Sequence, residues 1–185
     1  MVTKTRVTLE EFLALPESEP PCEYFDGEVV PKVSPNADHG ALAIEFGALF
    51  REWARKTEPC LVGVEIRHIT PDGRRVYLPD VSVTKAERLA GHERDQPMTV
   101  TPDVVVEILS TDDRPSVIIQ KIDMYLALAV PVLLVVDPDE RTIREYRAER
   151  PPRVYHEGDT LDLSPVLPGF ALDVTGLFRV IPGAG

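Results

Sequence analysis

The chain has 185 residues, 43% of them hydrophobic and 28% charged, and a formal charge of −11 at neutral pH. That balance suits one globular domain able to bury a sizeable core, and the acidic surface excludes a protein that coats nucleic acid through bulk positive charge. Only Cys22 and Cys60 are present, which excludes a disulfide framework or a cysteine-based zinc site. No apolar run reaches membrane-spanning length, and the N-terminus leads into an amphipathic stretch rather than a secretory signal. A cytoplasmic protein with no membrane partner is the expectation.

Thr8, with Glu11 three residues on, predicts a short capped helix over residues 8–13. Asp26-Gly27 between Glu23-Tyr24-Phe25 and Glu28-Val29-Val30 predicts a tight type I′ hairpin. A helix follows from about His39 to Thr57, with Leu42, Phe46, Leu49, Phe50 and Trp53 as its apolar stripe. Leu61–Ile69 and Arg75–Val83 read as two strands joined by a turn at Pro71-Asp72-Gly73-Arg74. Lys85–Thr99 is a polar excursion, and a strand then runs from about Asp103 to Leu109. A helix reaches about Ala129, and Val132–Asp137 is a second buried strand. Thr142–Arg147 and Arg153–His156 are outer antiparallel strands, and a short element closes the chain near Val174–Phe178. A helix between two buried strands permits a parallel crossover, which implies a mixed sheet with helices packed on it.

Glu107 stands inside Val104-Val105-Val106-Glu107-Ile108-Leu109, a run apolar enough to be covered on both faces. An ionised carboxylate there needs an ion pair or a metal to compensate its burial. Asp80 follows Pro79, which cannot donate to a ladder, so a bulge that re-aims Asp80 and a plain strand-entry turn are both open. A turn centred on Asp72-Gly73 sets His68 opposite Tyr77 and Glu65 opposite Asp80. Two facing carboxylates invite a divalent cation, unless Pro79 shifts the register and Glu65 points to water. Lys121 shares a helix side with Val117, Met124, Tyr125 and Leu128, and either reaches back to the strand or snorkels to solvent. Glu45 is a candidate accessory residue with a solvated role as the simpler reading, Asp112 and Asp113 read as helix caps, and His39 reads as an exposed residue at a helix start.

Asp80, Glu107 and Lys121 together resemble the restriction-endonuclease-like, or PD-(D/E)xK, superfamily. The closer resemblance is to the Uma-type endonuclease family. It rests on Tyr24-Phe25-Asp26-Gly27-Glu28-Val29-Val30, His39-Gly40, Leu78-Pro79-Asp80-Val81, Pro102–Ser110, Asp113-Arg114, Lys121 with Tyr125, Val135-Val136-Asp137-Pro138 and Leu167-Pro168-Gly169-Phe170. The resemblance implies an α/β restriction-endonuclease-like core, a mixed sheet flanked by helices, with an N-terminal β-hairpin and a C-terminal antiparallel extension. It also implies a divalent-metal site, Mg²⁺ or Mn²⁺, held by Asp80 and Glu107; Glu65, opposite Asp80 in the hairpin, is a further candidate ligand, and Tyr125 a candidate accessory residue. Leu109 stands where the superfamily's catalytic lysine is usual, which makes Lys121 the candidate for a lysine moved to the following helix. Val130-Pro131-Val132 departs from the glycine and aromatic residues commoner in the family.

The activity so implied is metal-dependent hydrolysis of phosphodiester bonds in DNA, with a homodimer as a candidate assembly. Two other readings stand beside it: a non-catalytic binding or regulatory module on the nuclease fold, and a phosphodiesterase acting on RNA or nucleotides.

Overall fold

The computed structural model describes residues 6–181 apart from 17, 19, 33, 34, 94, 95 and 149. The N-terminal leader reading, and two positions of the 85–99 excursion, therefore lie outside the described residues. Helix α1 (Leu9–Leu13) carries the expected reciprocal cap between Thr8 and Glu11. Strands β1 (Cys22–Phe25) and β2 (Glu28–Pro31) form the expected hairpin, with Asp26 and Gly27 both at positive φ (50° and 95°) as a type I′ turn demands. Helix α2 (Ala37–Lys56) is capped by Asn36, whose side chain accepts from the His39 amide.

The two strands read over residues 61–69 and 75–83 are each broken in the middle. They become β3 (Cys60–Val64) and β4 (His68–Ile69), then β5 (Arg75–Tyr77) and β6 (Val81–Lys85). The expected register survives the break: His68 faces Tyr77, and Val64 faces Val81. The breaks lie at the same height, at Glu65, which takes φ 51°, and at Pro79, which has no amide hydrogen to give. One hairpin thus serves two sheets. Its outer half joins β1 and β2 in the order β2-β1-β5-β4, and its inner half enters the main sheet.

A 3₁₀ turn (Ala86–Leu89) precedes β7 (Val104–Ile108), α3 (Pro115–Ala127) and β8 (Val132–Asp137). Then come β9 (Thr142–Arg147), β10 (Arg150–Tyr155), β11 (Thr160–Asp162), β12 (Ala171–Asp173) and α4 (Val174–Phe178). The main sheet runs β10-β9-β8-β7-β6-β3, with β7 and β8 parallel and the other neighbours antiparallel. Strands β11 and β12 form a separate ribbon.

Alternation along the central strands divides the core. Val104, Val106 and Ile108 of β7, with Val132, Leu134 and Val136 of β8, pack with Leu42, Phe46, Phe50 and Trp53 of α2 and with the C-terminal segment. Val105, Leu133 and Val135 face the other way, against Met124 and Tyr125 of α3 and Tyr77 of β5. Glu107 is in phase with Val105, so it belongs to the α3 side. Pro115 starts α3, and Arg114 occupies the cap position without a side-chain hydrogen bond. Asp113 is no helix cap: its carboxylate accepts from Ser110 N at 2.8 Å and closes the preceding loop. No described helix is long and apolar enough to cross a membrane.

Candidate active site

Strands β6 and β7 are antiparallel with Val81 opposite Val106, so one further step sets Asp80 opposite Glu107. Val81 and Val83 point with Val104 and Val106 toward α2, which leaves both acids on the α3 side. The Ile108 amide donates to Asp80 Oδ2 at 2.7 Å, tying the carboxylate across the strands just where Pro79 ends the ladder. Asp80 is 3% exposed and Glu107 5%, and both line a cavity of about 390 Å³ together with Glu23, Lys32, His39 and Lys121.

Lys121 and Tyr125 lie one turn apart on α3 and reach the same carboxylate. Lys121 Nζ donates to Glu107 Oε2 at 3.0 Å and pairs with Glu23 Oε1 at 3.1 Å. The Tyr125 hydroxyl donates to Glu107 Oε1 at 2.5 Å. Glu23 Oε1 also accepts from the Leu78 amide at 2.9 Å, so β1 is pinned to the hairpin break. On the other side, Lys32 Nζ donates to Asp80 Oδ1 at 2.8 Å, Glu65 Oε1 at 3.0 Å and the Leu78 carbonyl at 3.0 Å. His39 Nε2 lies 3.1 Å from Asp80 Oδ2.

These partners separate the two acids electrostatically. Burial pushes the Glu107 carboxyl up to about 7; Lys121 opposes the shift and nearby Asp80 adds to it. Burial also works to raise Asp80, yet the His39 hydrogen bond and the Lys32 charge outweigh it and hold that carboxyl well below the usual range. Burial alone would lower Lys121, but Glu107 and Glu23 together raise it, so it stays an ammonium at neutral pH.

Asp80, Glu107 and Lys121, singled out from sequence, thus meet at one cavity, and Tyr125, behind its wall, holds Glu107. Glu65 connects to Asp80 through Lys32, but its side chain is 35% exposed and does not line the cavity. Glu45 is half-buried on α2 and does not line the cavity. His39, expected exposed, is only 8% exposed, because the first turn of α2 is set against Asp80. Glu23 and Lys32 were not anticipated. Glu23 carried a readable signal, an acid between Cys22 and the apolar Tyr24-Phe25, whereas nothing local marks Lys32.

Among the described residues no group of three or more His, Cys, Asp or Glu side chains is disposed to hold a metal ion. The donor chemistry nonetheless suits a hard divalent ion. Carboxylate and carbonyl oxygens dominate, and a cation, the Lys32 ammonium, already sits between two of the acids.

The fold has a counterpart of known structure. A crystal structure of a "putative nuclease belonging to DUF820" from Anabaena variabilis superposes with a TM-score of 0.84 at 26% identity, over 94% of this chain and 98% of that one. No curated protein matches. Residues 9–175 match the model of the Uma2 family, described as "Putative restriction endonuclease". The mixed, helix-flanked sheet and the near full-length match lead to one assignment: this chain belongs to the Uma2 family and has a nuclease-like fold.

Proposed function

We propose that the protein is a Mg²⁺- or Mn²⁺-dependent endonuclease that hydrolyses phosphodiester bonds in DNA. The observation that supports this best is the pair of buried acids facing each other across β6 and β7, each against a lysine, in the wall of an open cavity. The bound ion would polarise the phosphate and acidify a water. Asp80 and Glu107 are the residues that would hold it. Asp80, the stronger acid, keeps its charge throughout the working pH range. Glu107 sits close to neutrality in proton affinity, which suits a group that exchanges a proton or gains a cation. Lys121 is too basic to accept a proton here, so its part is to offset negative charge developing at the phosphate. Tyr125 fixes the rotamer of Glu107, and His39 with the Ile108 amide fixes that of Asp80.

A specific observation favours a second reading, a non-catalytic module on the same fold. Asp80, Glu65, Glu107 and Glu23 each already have a lysine partner, so the cavity is internally compensated. One assay separates these readings. The protein is incubated with single- and double-stranded DNA and RNA in Mg²⁺, Mn²⁺ or chelator, beside Asp80→Ala and Glu107→Ala. Metal-dependent cutting of DNA, lost in both variants, is expected. Cutting of RNA alone would redirect the substrate, and stable binding without cutting would establish the module. Lys121→Ala should lower turnover far more than metal affinity; equal loss of both would count against its role. Cutting both strands of a duplex calls for paired sites, which a homodimer would supply and sedimentation would reveal.

A further inference from the structure

We propose that Lys32 is a tethered cation that occupies a three-oxygen seat beside Asp80 and competes there with the divalent ion. The inference rests on the nuclease reading above but concerns a residue which that reading does not use. Three oxygens from separate parts of the hairpin break converge on one ammonium: Asp80 Oδ1, Glu65 Oε1 and the Leu78 carbonyl, at 2.8 to 3.0 Å. An ammonium has three hydrogens to donate, and these three acceptors use them all. The Lys32 side chain is 9% exposed, so this is a lodged group and not a surface contact.

The seat arises from the fold. The hairpin breaks at Glu65 and Pro79 because it passes from one sheet to the other, and the break turns the Leu78 carbonyl and the Glu65 side chain toward Asp80. Strand β2 ends at Pro31, and the Lys32 amide is held by the Pro21 carbonyl at 2.9 Å, which anchors the start of a flexible four-carbon stem. Two carboxylates and a carbonyl are the oxygen set that a hard divalent cation takes from a protein. An ammonium and a metal ion cannot share it. On the other oxygen of Asp80 stands His39, nine-tenths buried in the cavity wall, whose Nδ1 has no hydrogen-bond partner among the described residues.

Lys32 therefore sets a threshold. It compensates Asp80 and Glu65; a divalent ion would engage Asp80 Oδ1 only by displacing it. The test is direct binding of MnCl₂, without nucleic acid, measured by calorimetry on the wild-type protein, Lys32→Met and Asp80→Asn. Lys32→Met should bind Mn²⁺ at least about tenfold more tightly than wild type, equivalent to about 1.4 kcal/mol. Equal or weaker binding by Lys32→Met, with binding abolished in Asp80→Asn, would overturn the role of Lys32 and leave the metal site standing. No binding by any form would overturn both. Because Lys32→Met removes the lysine partner of Asp80 and Glu65, the wild-type protein supplies a second readout. Amine labelling followed by mass spectrometry should find Lys32 shielded without metal and reactive at saturating Mn²⁺. Saturation with no change at Lys32 would also sink the proposal.

Discussion

Buried charge is tolerated around this cavity because each ionised group meets one of opposite sign within hydrogen-bonding distance. Lys121 serves Glu107 and Glu23, and Lys32 serves Asp80 and Glu65. His68 obeys a different rule. It is 1% exposed and stacks on Tyr77 with ring centroids 5.2 Å apart, with no charged partner among the described residues. Burial pushes its pKa down to about 4; the Val100 backbone partly offsets this, and His92 adds to the depression. The unfolded chain, with an ordinary histidine, binds a proton near pH 6.5 that the folded chain refuses until about pH 4. Between those values the unfolded state carries more protons, so acidification favours it. His68 should erode stability by up to about 1.4 kcal/mol per pH unit across that window. Urea unfolding of wild type and His68→Phe at pH 7 and pH 5 checks this. The variant, which keeps the stack, should lose less stability on acidification, and parallel losses would refute the assignment.

At the scale of elements, α3 presents Lys121 and Tyr125 to Glu107, and its C-terminal end is strained. The Val130 amide bonds the Tyr125 carbonyl and the Ala129 amide bonds the Leu126 carbonyl, a Schellman closure. That closure puts Ala129 at φ 53°, a left-handed conformation that glycine adopts freely and alanine resists. Ala129→Gly should stabilise the protein by about 1 kcal/mol in denaturant unfolding, with α3 and the site unchanged. A destabilised variant would show that the side chain contributes packing which outweighs its backbone strain. The broken hairpin shows the opposite economy. Its register was readable from the Asp72-Gly73 turn, and Pro79 marked one break, yet the passage into a second sheet was not readable. Residues 61–69 alternate much like an ordinary strand, and only the positions of β1 and β7 on either side decide where the pairing must part.

For the whole molecule, the C-terminal segment closes the α2 face. Leu161, Leu163, Leu167, Phe170, Leu172, Val174, Leu177, Phe178 and Ile181 are all buried in the core shared with α2 and the main sheet. Trp53, the chain's one tryptophan, donates from Nε1 to the Pro168 carbonyl at 3.0 Å and links the two. Each such side chain is worth roughly 1.5–3 kcal/mol of burial, so losing nine matches or exceeds the total stability expected of a domain, about 5–15 kcal/mol. Truncation before Thr160 should therefore abolish cooperative thermal unfolding, read by Trp53 fluorescence and circular dichroism. A truncated chain that still melts cooperatively would mean that the main sheet carries its own core.

The hairpins, the helices, the buried strands and the acid that has no place in an apolar run were all legible along the chain. These are local patterns: turn chemistry, caps and alternation act over a few residues. Asp80 was legible through Pro79, and Lys121 through its apolar helix side. Which cations meet those acids depends on the packing of distant segments. Lys32 lies 48 positions from Asp80 in the chain, and Glu23 lies 55 from the Leu78 amide that it holds. Their encounters depend on how β1 and β2 seat against the broken hairpin. Electrostatic pairing is set by distance in space, and over such separations a linear pattern carries no record of it.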